Sequence, residues 1–151
     1  SDDWLSLLTR LGGALLIGAC VGWVRQADGK AAGARTHMLV TTTAALLTMI
    51  PLQIHAPPID EPVSYVLQGI STGIGFLGAG MILRQPDATS CQSQVKGLTS
   101  ASEIWASAAL GASAACGLWF TAIVGTVLML LILTVIKKLE RFIPVKIEDE
   151  C

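Results

Sequence analysis

Glu103 is the residue whose chemistry demands an explanation. It stands within Gly97-Leu-Thr-Ser-Ala-Ser-Glu-Ile-Trp105, an apolar stretch rich in Ala, Ser and Gly. A carboxylate at the centre of a lipid-facing helix costs about 2.5–3.5 kcal/mol. Glu103 is therefore expected to be buried against protein with an arginine beside it, because an unpaired buried charge becomes neutral instead. The candidates are Arg25, Arg35 and Arg84, which with Lys96, Thr99 and His37 are expected near the cytoplasmic mouth of a helical bundle. Together they form a candidate polar site, in which His37 could exchange a proton near neutral pH. The plainer alternative is that the arginines set topology, Glu103 makes one internal ion pair and His37 caps a helix. No His-x-x-x-His or Gly-x-Ser-x-Gly signature occurs, and the glycines are not followed by Lys-Ser/Thr as in a phosphate-binding loop. Neither a catalytic centre, a metal site nor a cofactor is expected.

These residues need helices to position them. With 52% hydrophobic residues, 14% charged residues and a mean hydropathy of +0.63 over 151 residues, the chain lies outside ordinary soluble composition. Apolar segments of spanning length fall at 5–24, 36–56, 62–83, 97–117 and 118–136. Five crossings put Arg25, Lys30, Arg35, Arg84, Lys96, Lys137, Lys138, Arg141 and Lys146 on one side, nine of the ten Lys and Arg residues. By the positive-inside rule that side is cytoplasmic, with the amino terminus outside and the carboxyl terminus inside. The fold class expected is an all-α integral membrane bundle of about five transmembrane helices. Residues 1–141 form its membrane domain and 142–151 a short cytoplasmic tail. The acidic start argues against a cleaved signal peptide. Cys20, Cys91, Cys116 and Cys151 have no metal or redox spacing and are assigned no chemistry.

Glycine dominates the third segment, Gly69-Ile-Ser-Thr-Gly-Ile-Gly-Phe-Leu-Gly-Ala-Gly80. At 100° per residue, Gly69, Gly73 and Gly80 fall on one side and Gly75 and Gly78 nearly opposite. Ile70, Ile74, Leu77 and Met81 lie between them. Small residues let membrane helices approach closely, so this helix is expected at the centre of the bundle. Gly18-x-x-x-Gly22 in the first segment is a further packing candidate. Arg10 is expected to snorkel to headgroups. In the second segment His37, Thr41, Ala44 and Thr48 make a polar stripe expected to face protein or water, and Pro51 is expected to loosen its last turn. The fourth segment turns Glu103 and Ser107 to the face opposite Leu98 and Trp105. Residues 85–95 have loop composition.

Three blocks carry a resemblance: Ala32-Gly-Ala-Arg-Thr-His-Met-Leu-Val40; Gly73-Ile-Gly-Phe-Leu-Gly-Ala-Gly80 with Arg84; and Lys96-Gly-Leu-Thr99 followed by Ile104-Trp-Ala-Ser-Ala-Ala-Leu-Gly111. In order and spacing they resemble the MgtC/SapB family of bacterial inner-membrane proteins. The resemblance implies a domain of about five spans, frequently followed by a cytoplasmic ferredoxin-like domain that this sequence is expected to lack. It also implies a link to growth at low magnesium and to survival inside host cells, by restraint of the membrane ATP synthase rather than by carrying magnesium. Two positions depart from the family pattern. Its Gly-Leu-Glu-Arg-Glu-like end of the first helix reads Gly22-Trp-Val-Arg-Gln26 here, without either acidic residue, and Glu103 stands where relatives have a small residue or Thr.

The function expected is that of a non-enzymatic, multi-pass inner-membrane protein that regulates or docks onto a larger complex. Its partners would be lipid and a protein or a second copy of itself, and not nucleic acid. The alternative is a transporter or channel for a cation or small ion along a polar path on the second and fourth segments.

Overall fold

The structure, a computed structural model, describes residues 2–29, 32–54, 60–85 and 94–140. It is all-helical apart from two three-residue strands. Helix α1 covers Asp2–Ala27, longer than the apolar run at both ends. Its last turn holds Arg25, where a cation suits the helix dipole. Helix α2 covers Ala34–Gln53 and runs through Pro51 to its end. Its cap residue, Gly33, has no side chain to close the first turn. Gln26 of α1 does so instead, its Oε1 accepting the Ala34 N–H at 3.3 Å.

Helix α3 covers Asp60–Met81 and ends before Arg84. Residues 85–95, whose composition suggests a loop, begin and end in structure: β1 (Leu83–Gln85) pairs antiparallel with β2 (Gln94–Lys96), Arg84 lying opposite Val95. Gly97 then turns the chain at φ +96°, where a Cβ would collide with the Met81 carbonyl, so only glycine fits. Helix α4, Leu98–Ala115, closes in a Schellman motif. In it Gly117, at φ +76°, donates its N–H to Ala114 and Leu118 donates to Ser113, each at 3.0 Å. Helix α5 (Trp119–Leu131) continues through a π-helical segment, Ile132–Ile136, into α6, Lys137–Glu140.

The centre of the bundle is α4, which touches α1, α2, α3 and α5. Its small side chains make it thin enough to be surrounded: Ala101, Ser107, Ala108, Gly111, Ala112, Ala114 and Ala115 are all buried. This corrects the expectation that the glycine helix is central. Helix α3 lies at the edge, attached to α4 and α2. It binds them with bulky residues, Ile70, Ile74 and Met81 packing on Val40, Ala44, Ile104 and Ala108. Side chains that fill a gap give more dispersion contact than bare glycine backbone, and Gly69, Gly73, Gly75 and Gly80 are left facing outward.

Among the described residues two helical stretches, Trp4–Ala27 and Trp119–Leu139, are long and apolar enough to cross a membrane. Much of the surface is greasy: Phe76 is 81% exposed and Phe120 82%, amid exposed Leu8, Leu16, Leu39 and Ile132. So many large exposed apolar side chains are unusual for a surface meeting water.

Candidate functional site

The end of α1, the start of α2 and the first three turns of α4 meet in a buried polar seam. Because α1 extends to Ala27, Arg25 is a helical residue aimed at α4 rather than part of a loop. Its Nε forms an ion pair with Glu103 Oε2, and its Nη2 donates to Ser100 Oγ at 2.9 Å. Arg25 and Glu103 are only 3% and 4% exposed. Breaking such a pair from one side strands a charge in a dry interior, although the intact pair itself adds little net stability.

One turn further along α4, Ser107 Oγ lies 2.8 Å from Nδ1 of His37. His37 is fully buried and its Nε2 has no hydrogen-bond partner among the described residues. The α4 residues Ser100, Glu103 and Ser107, at i, i+3 and i+7, thus form one stripe facing α1 and α2.

The α2 stripe faces protein along its length: His37, Thr41, Ala44 and Thr48 are all buried. Its hydroxyls are used locally. Thr41 Oγ1 donates to the His37 carbonyl at 3.0 Å, and Thr48 Oγ1 to the Ala44 carbonyl at 2.8 Å. At Thr41 three helices are in backbone contact. A Cβ on Gly18 of α1 would meet Thr41 Oγ1 and the backbone of His37 and Met38, and one on Gly111 of α4 would meet the Thr41 carbonyl. Gly22 lies equally close to Ala34.

Several candidate residues fall elsewhere. Arg35 is exposed, since it precedes the α2 stripe by two positions and so points away from it. Thr99 is exposed too, and its neighbour Ser100 takes the inward position. The side chains of Arg84 and Lys96 lie outside the described residues. Gly69, Gly73, Gly75 and Gly80 are exposed, with no atom within 4 Å of where a Cβ would stand. Gly78 alone among the α3 glycines of the candidate set is buried, against Ala101.

Arg10 differs from expectation. Rather than only snorkelling, its Nη1 donates to the Ala115 carbonyl at 2.7 Å, a cation on the carbonyl end of α4. Sequence reasoning missed Ser100 and Gly111. The i, i+3 spacing of Ser100 from Glu103 could have found the first.

Among the described residues these features define a helical protein with two helices apolar enough to cross a membrane and a buried polar seam between three of its helices. The chain belongs to the MgtC family, whose model matches residues 11–142. Among similar proteins, SrpB of Synechococcus elongatus is 44% identical over 144 residues, covering 92% of this chain and 79% of SrpB. The Escherichia coli K12 protein named "Putative magnesium transporter YhiD" is 35% identical over 83% of this chain and 58% of its own. Protein MgtC of Brucella abortus is 34% identical over 87% of this chain and 51% of its own. The chain thus spans little more than half the length of the latter two. No solved structure matches it.

Proposed function

We propose that this chain is a five-span protein of the bacterial inner membrane, amino terminus outside, that acts without catalysis by docking onto a larger membrane complex. The observation that carries the reading is the contrast within the bundle. The seam between α1, α2 and α4 is packed to backbone contact, while α3 turns four glycines outward. Glycine in a helix costs about 0.8–1 kcal/mol relative to alanine, a cost that a neighbouring helix at close range would offset. Beside these glycines, a groove of about 500 Å³ runs between α2 and α3, walled by Leu39, Leu47, Gly69, Gly73 and Leu77.

The physiological setting proposed is that of the family: magnesium limitation, with the membrane ATP synthase as the complex restrained. The name of the Escherichia coli relative favours a second reading, ion transport. Here the hydroxyls of Thr41 and Thr48 are bonded to their own helix and Gly111 abuts Thr41, which favours docking over a polar path on α2 and α4.

Two measurements separate the readings. Gentle solubilisation should yield a stoichiometric membrane complex, and a monodisperse monomer with no companion would count against docking. Ion flux into proteoliposomes that disappears in Glu103→Gln would establish transport in its place; flux equal to that of empty liposomes is the result expected.

A further inference from the structure

We infer that the groove between the start of α1 and the end of α2 binds the phosphodiester of a membrane phospholipid, an inference that rests on the bilayer placement proposed above. The groove measures about 480 Å³. Trp4, Ser6, Arg10 and Gln53 line it together with the apolar Leu7, Met49 and Leu52. That mixed lining suits a lipid headgroup joined to its first acyl carbons.

Arg10 supplies the positive charge that a phosphodiester in this groove would meet. The ion pairs among the described residues are Arg25 with Glu103 and Lys137 with Asp28, so no described carboxylate neutralises Arg10. The Arg10 guanidinium is partly buried and tied at Nη1 to the Ala115 carbonyl. Its orientation is therefore fixed, and its fork retains donors suited to two oxygens of one phosphate. Trp4, 75% exposed on the same groove, is an indole of the kind that settles at the headgroup level with its N–H toward polar groups. Ser6 adds a hydroxyl.

The test uses the full chain, purified in a non-ionic detergent, stripped of lipid and titrated with dioleoyl phosphatidylglycerol under native mass spectrometry. One saturable lipid adduct is expected, weakened about tenfold in Arg10→Gln, as loss of a charge-assisted contact implies, and less in Arg10→Lys. Because Arg10 also holds the end of α4, Trp4→Leu and Ser6→Ala serve as companions that leave the Arg10–Ala115 bond in place. Each should weaken the adduct with unchanged circular dichroism. The proposal is overturned if these variants titrate as the wild type does. Loss of the adduct in Lys137→Gln with Lys138→Gln but not in Arg10→Gln would overturn it as well. So would displacement of the lipid by equimolar inorganic phosphate, which would make the site one for a free anion. None of these outcomes bears on docking through α3, which contributes no residue to this groove.

Discussion

Two glycine-bearing surfaces of this molecule behave in opposite ways. Gly18, Gly22 and Gly111 sit where backbones nearly touch, around Thr41 and Ala34 of α2. The glycines of α3 are denser in sequence, yet four of them meet nothing. Glycine density alone therefore does not locate a helix interface within one chain. An interface needs a partner surface of matching relief, which α2 offers to α1 and α4 and which no described element offers to Gly69, Gly73, Gly75 and Gly80 of α3. The seam is an intramolecular lock, and the α3 face is a surface left open.

The sharpest way to break the lock is Glu103→Ala, which would leave Arg25 charged and buried. A loss of about 3–5 kcal/mol is expected, read as a fall in the thermal unfolding midpoint in detergent. Replacing both partners, Arg25→Met with Glu103→Met, should recover most of it. A single-variant midpoint unchanged from wild type would show that the seam is not the lock.

Smaller effects separate the two glycine surfaces. Gly111→Ala or Gly18→Ala forces backbone apart and should cost about 1–3 kcal/mol. Gly73→Ala or Gly75→Ala should leave the isolated protein unchanged or up to about 1 kcal/mol more stable, while reducing recovery of the complex. Equal behaviour of both sets would erase the contrast. Ser107→Ala removes the hydrogen bond to a buried imidazole and should cost about 1 kcal/mol or somewhat more, seen as faster amide exchange at the start of α2. Least of all, Asp28→Asn breaks the half-exposed pair with Lys137, 2.6 Å long. That change should stay within about 1 kcal/mol and vanish at high salt.

Much of this fold can be read from the chain. The apolar runs give the helices, and the cost of an isolated carboxylate points to an arginine beside Glu103. Which arginine could not be read, because α1 continues three residues past its apolar run and carries Arg25 into the core. The inward choice of Ser100 over Thr99 depends on a rotation of about 100° in α4, smaller than composition resolves when both neighbours carry hydroxyls. The edge position of α3 was hidden for a different reason. Glycine permits close approach without requiring it, and Ile70, Ile74 and Met81 supply the contacts that place the helix. Gln26 caps α2 from another helix, a contact no local pattern encodes.

A photoreactive phenylalanine analogue placed in native membranes at Phe76, then at Phe120, tests the contrast most directly. Both side chains are more than four-fifths exposed, but Phe76 shares the α3 face of Gly69, Gly73 and Gly80, whereas Phe120 stands on α5. A saturable adduct to one membrane protein from position 76, lost in Gly73→Leu and missing from position 120, is the predicted result. Diffuse lipid adducts alike at both positions would contradict the account.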